Sequence, residues 1–324
     1  MAKELSTQAK WKPWKGIVLF IIAFAWLFIG SLSSYFIGTA GIFITQLGFL
    51  GIALLACVIN KTPIKEVFPI KKLTVRDFFG TLLMWIGALP LGLLSALAVG
   101  KLMPETFAEV TSGVSAISTG IVVLGFITTV ICPPICEEAI MRGAILSNFR
   151  GIKKDWIIIL IIGVMFGILH TDAVRFLNTT LLGACMAYLM VKRNNFILPM
   201  MFHFINNFVT IGISTIASTF ATTEQTVDVS EATAQSIDAI PSFMILAFLC
   251  PMILVIGAHL IKRQAEISEG KEKSGMKLGV KIAISAALSV AMLVSGIVIT
   301  LKTTDLSSIT SMVEQNAVVI DSDN

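Results

Sequence analysis

The sequence predicts an all-α fold, a polytopic transmembrane helix bundle of about nine spans. Three observations carry that prediction: the composition, the length of the apolar runs and the placement of the basic residues. Hydrophobic residues make up 56% of the 324 and charged residues 14%, where soluble domains carry roughly 25% charged residues. Apolar runs of about 20 residues, the length needed for a helix to cross ~30 Å of hydrocarbon, recur along most of the chain.

The first run, 16–38, is longer than a signal-peptide core and lacks a small-residue cleavage site, so it is kept as a span. The others fall near 40–60, 78–102, 117–146, 155–171, 173–191, 196–217, 241–261 and 279–300. Four regions follow: N-terminal spans (1–114), a helical core (115–217), an extracytoplasmic loop (218–240), and C-terminal spans with an acidic tail (241–324). With the N-terminus in the cytoplasm, 21 of the 24 Lys and Arg residues lie inside, and Lys101, Arg175 and Lys302 lie outside. That is the expected bias for a multi-pass protein of the cell membrane, and it puts the C-terminus outside. The count treats Arg142 as a loop charge. The loop holding Glu224, Asp228, Glu231 and Asp238 has no basic residue, which suits an outer face.

A net charge of +4 explained by short basic loops leaves no case for a nucleic-acid partner; the lipid bilayer is the partner this composition demands. Cys57, Cys132, Cys136, Cys185 and Cys250 sit in apolar runs without metal-type clustering and read as reduced core residues. No internal repeat is visible, and the buried acids are confined to one span. Both features count against a transporter.

Ionisable residues within spans are costly and mark function or a necessary pairing. The fourth span reads Cys132-Pro133-Pro134-Ile135-Cys136-Glu137-Glu138-Ala139-Ile140-Met141-Arg142, the fifth ends Phe166-Gly167-Ile168-Leu169-His170, and the seventh opens Phe202-His203-Phe204-Ile205-Asn206-Asn207. Residues four apart share a helix face, so Glu138 can pair with Arg142 while Glu137 points about 100° away. Glu137 is then left without a local counter-ion, free to take a proton from water and return it to a leaving amine. His203 and Asn207 share a face as well and can donate side by side to a developing oxyanion.

The fourth and fifth spans form a hairpin turning near 152, with Glu137 15 residues before the turn and His170 18 after it. At ~1.5 Å per residue both stand roughly 22–27 Å up the hairpin, at similar height. If Ser147 to Arg150 protrudes into the cytoplasm, His203 can meet them at that depth. Pro133 and Pro134 should kink the helix and free backbone groups beside protein or a water cavity. Asp172 reads as an outer-loop charge or a partner of His170, and Asn178 and Asn206 as groups that join helices.

The pattern Glu-Glu-x-x-x-Arg, Phe-x-x-x-His and His-x-x-x-Asn, over roughly 115–217, resembles the signature of the CPBP family of intramembrane proteases, also called the Abi or CAAX protease and bacteriocin-processing family. The resemblance implies an all-helical intramembrane endopeptidase acting on a membrane protein or peptide. In it Glu137 and His170 activate water, and His203 with Asn207 stabilises the oxyanion. Glu138, Arg142 and Phe166 support these groups, Phe166 by orienting His170. Two mechanisms stay open. A zinc ion could be held by Glu137, His170 and His203, although there is no His-Glu-x-x-His, or the same residues could act without metal. A non-catalytic scaffold, serving bacteriocin immunity or binding an envelope partner, is the alternative from another class.

Overall fold

The computed structural model describes residues 11–117, 122–220, 238–270 and 276–303. Among them the regular structure is entirely helical. The long elements are α1 (Pro13–Ile37), α2 (Thr39–Ile59), α3 (Val75–Leu102), α4 (Pro104–Ile117), α5 (Leu124–Ile145), α6 (Asp155–Leu169), α7 (Ala173–Arg193), α8 (Ile197–Phe220), α9 (Ile240–Leu246), α10 (Cys250–Ser268) and α11 (Leu278–Thr303).

The count of nine spans needs correction. Six helices among the described residues are long and apolar enough to cross a membrane: α1, α2, α3, α5, α7 and α11. The bent pair α9 and α10, meeting at 45°, makes a seventh, over the span read from sequence at 241–261. The helix α6 has 15 residues, about 22 Å at 1.5 Å each, and falls short of the hydrocarbon thickness. The helix α8 runs for 24 residues, Ile197–Phe220. Most of the acidic loop expected over 218–240 lies outside the described residues.

Tight turns set the order of the helices. Between α1 and α2 the whole connection is Gly38, whose φ of 59° lies in the left-handed region that costs other residues more. Thr74 and Asp77 form a reciprocal capping box that starts α3. At the other end of α6, His170 closes the helix and Asp172 caps α7, its Oδ1 accepting from the backbone N–H of Val174 (2.8 Å) and Arg175 (3.2 Å). Asp172 also pairs with Arg175 at 2.5 Å, so this charge in the connection between α6 and α7 serves as a helix cap.

Polar bonds gather one end of the bundle. Trp11 Nε1 donates to Thr62 Oγ1 (3.1 Å), and the backbone N–H of Lys12 donates to Asn148 Oδ1 (3.2 Å). Arg193 makes a two-pronged ion pair with Asp77 (2.6 and 3.0 Å) and reaches Ser268 Oγ (3.1 Å). Asn195, fully buried, exchanges two 3.1 Å bonds with the backbone of Lys71 and so anchors the start of α8. The segments the basic residues marked as one side of the membrane therefore share one end of the fold. Ser147 and Asn148 are packed inside the protein rather than exposed. Asn148 is 2% exposed because its amide joins the Ala144 carbonyl to the Lys12 N–H. Arg142 has no exposure at all and is no loop charge.

Candidate active site

The helix that carries the two glutamates is not uniformly α-helical. Ile127–Ile131 and Ala139–Ile145 are π-helical, with Cys132–Glu138 between them in α geometry. The prolines are the local reason. Positions 133 and 134 have no N–H to offer the carbonyl of Thr129, the first by α and the second by π spacing. The kink expected from Pro133 and Pro134 thus takes the form of a wider turn ahead of them. Asn207 of α8 supplies the missing donor, its Nδ2 lying 3.0 Å from the Thr129 carbonyl oxygen.

Glu138 and Arg142 pair as their spacing predicts, with Nη1 to Oε1 at 2.9 Å and both side chains fully buried. The guanidinium does more than neutralise Glu138. Its Nη2 donates to the Gly183 carbonyl (3.0 Å), and it lies over the Phe166 ring, 4.3 Å from the centroid. Phe166 in turn presents its ring to His170 (centroids 4.7 Å apart) and to His203 (5.9 Å), both edge to face. It can sit that deep because Gly183 lies opposite: a Cβ there would fall 2.8 Å from the Phe166 Cβ. One aromatic ring thus fixes one cation and two imidazoles, a wider task than orienting His170.

His203 is 5% exposed, and its Nδ1 lies 2.9 Å from Glu138 Oε1, the oxygen that Arg142 also holds. The Nδ1 of His170 lies 2.9 Å from the carbonyl oxygen of Phe166. A carbonyl only accepts, so His170 donates through Nδ1 and, when neutral, keeps a lone pair on Nε2. Glu137, on a different face from Glu138, accepts a 2.8 Å bond from the Nε2 of Gln46 in α2. Glu137 and His170 line one cavity of about 220 Å³ together with Leu27, Phe28, Ser31, Phe49, Leu169 and Thr171. Thr171 holds a φ of 53°, unusual for a β-branched residue.

The structure therefore brings Glu137 and His170 to one cavity and joins Glu138, Arg142, Phe166 and His203 in one network. Asn207 is bonded to Thr129 instead of standing free beside His203. Sequence reasoning passed over Gln46, although a lone Gln in the apolar run of α2 is the kind of intramembrane polar residue that signals a partner. The five cysteines are buried and free. Among the described residues no three His, Cys, Asp or Glu side chains converge as a metal ion would require. A zinc held by Glu137, His170 and His203 does not fit this arrangement.

Residues 119–209 fit the family model described as Rce1-like, type II CAAX prenyl endopeptidase Rce1-like. Residues 119–209 are therefore similar to the Rce1-like branch of the CPBP family. No curated protein and no solved structure matches the chain. The Rce1-like segment takes in all three motifs, from Glu137 to Asn207, and supports an intramembrane endopeptidase. It leaves out Gln46, Leu27, Phe28, Ser31 and Phe49, so half of the cavity's lining comes from helices outside the Rce1-like segment.

Proposed function

We propose that this chain hydrolyses a peptide bond of a membrane-associated protein or peptide, with Glu137 as the general base and acid. The observation that carries the reading is the shared cavity. Glu137, bonded to a neutral amide, and His170, with Nε2 free of its carbonyl contact, face the same space. Water between them loses a proton to Glu137 while its oxygen attacks the carbonyl carbon. The carbonyl oxygen gains the negative charge, and Glu137 returns the proton to the amine as the C–N bond breaks.

For the oxyanion, His203 and Asn207 remain the donors proposed here. The Nδ1 of His203 is taken up by Glu138, which leaves Nε2 as the ring atom to meet the oxyanion, and Asn207 has one amide hydrogen beyond the one given to Thr129. Glu138, Arg142 and Phe166 act through His203 and His170. The basic end of the bundle is assigned to the cytoplasm by the excess of Lys and Arg there, which leaves the C-terminus outside.

The test is a cleavage assay on purified protein in detergent or vesicles, with and without chelator. It uses peptides ending in a CAAX sequence, prenylated and not, beside unprenylated membrane peptides. Wild type should cleave at least one class, and Glu137→Gln should lose 10²–10⁴-fold or more. In cells, rescue of a deletion strain by Glu137→Gln at equal membrane abundance would instead establish a non-catalytic scaffold.

A further inference from the structure

Gln46 is 6% exposed in a helix otherwise built of apolar and small residues, and it lies outside the matched segment 119–209. Its Nε2 donates to Glu137 Oε1 at 2.8 Å, while its own Oε1 is buried without a hydrogen-bond partner among the described residues. A buried amide with one bond made and one unmade gains little for the fold by itself. Three residues further along α2, Phe49 lines the cavity shared by Glu137 and His170, and Leu27, Phe28 and Ser31 of α1 line it too.

We propose that Gln46 is a positioning residue for Glu137, so that the N-terminal helix pair completes the reactive pocket. This rests on the hydrolytic reading of Glu137. A glutamate has three side-chain torsions, and one oxygen must stay within about 2.6–3.2 Å of the water it deprotonates. The bond from Gln46 fixes Oε1 and leaves Oε2 for that water. A neutral donor suits the task, because a cation at the same place would hold the proton away from the carboxylate. The contrast is with the adjacent Glu138, which is held by Arg142. Rotation of the Gln46 amide also presents Oε1 to a protonated Glu137, giving its unpartnered oxygen a use within the catalytic cycle.

The experiment compares wild type, Gln46→Met and Gln46→Asn in the full-length chain. Methionine keeps the length and removes both polar atoms; asparagine keeps the amide and draws it back by one bond. Both should lower kcat about 10- to 100-fold, as expected when a reacting group is misplaced by about 1 Å. KM should stay within roughly threefold and the melting temperature in detergent should not fall, since neither variant disturbs substrate contacts or strands a charge. The carboxyl infrared band that vanishes in Glu137→Gln should shift in Gln46→Met. Unchanged kcat in both variants overturns the proposal, as does a loss of turnover that only tracks lost folding. If wild type cleaves no peptide, the protease reading falls and takes the catalytic role of Gln46 with it. A shifted band in that case still reports the Gln46–Glu137 contact, so the two failures can be told apart.

Discussion

Asn207 donates its side-chain amide to the carbonyl of Thr129, a group that Pro133 and Pro134 leave without a donor in its own helix. A role confined to the oxyanion would make Asn207→Ala a purely kinetic lesion. The bond adds a structural cost of about 1–3 kcal/mol for the stranded carbonyl, so both the melting temperature and kcat should drop. Pro133→Ala restores an N–H four residues after Thr129 and should recover part of the lost stability in the double variant, but not the lost turnover. Additive stability losses in that cycle would sink this account of the Asn207 bond.

Arg142→Ala removes the partner of Glu138, the donor to Gly183 and the cation over Phe166 at once. Breaking a fully buried pair costs about 3–5 kcal/mol, so folded yield should fall together with activity. Arg142→Lys should rescue only in part, because an ammonium cannot keep all three planar contacts. Thermal unfolding in detergent measures both.

Asp77 and Arg193 form a second buried pair, remote from the cavity and at the end of the bundle that carries the basic segments. Asp77→Asn should destabilise by a similar amount while leaving the KM of the surviving folded fraction unchanged. A shift in KM at constant stability would show that this end of the bundle is coupled to substrate binding.

His170→Ala should be as severe as Glu137→Gln, and the double variant little worse than either, if the two residues act on one water as a unit. Single-turnover rates on a cleaved peptide decide this. Full multiplication of the two losses would assign them to separate steps.

Thr171, which lines the cavity beside His170, carries a left-handed φ. Left-handed backbone costs an L-residue about 1–2 kcal/mol, part of which glycine returns as extra freedom in the unfolded chain. Thr171→Gly should therefore gain about 0.5–1 kcal/mol in stability and lose turnover as His170 loosens. A melting temperature that falls instead would refute the strain at this position.

The three motifs were legible because each is a local event. Glu138 and Arg142 are one helical turn apart, and a charge set in an apolar run must either find a partner or do chemistry. What escaped was long-range or conformational. Nothing in the neighbourhood of Glu137 says that its partner lies 91 residues earlier, and the Thr129 carbonyl becomes a target for Asn207 only once two prolines have silenced it. The span count failed for a different reason. Hydropathy registers how apolar 155–169 is, while the length of the helix is set by its ends, at Asp155 and at the His170–Thr171 turn. The capping role of Asp172 was also open to reading, since an Asp ahead of a helical run is a recognised start signal.

The contacts between Lys12 and Asn148, Asp77 and Arg193, and Glu138 and His203 span 136, 116 and 65 residues of chain. Such spacing gives the molecule a timetable. Chains emerge from the ribosome N-terminus first, so Gln46 waits for Glu137, and Glu137 and His170 are both present before Asn195 anchors α8 and delivers His203. A half-synthesised chain therefore carries Glu138 and Arg142 before His203 arrives to join them.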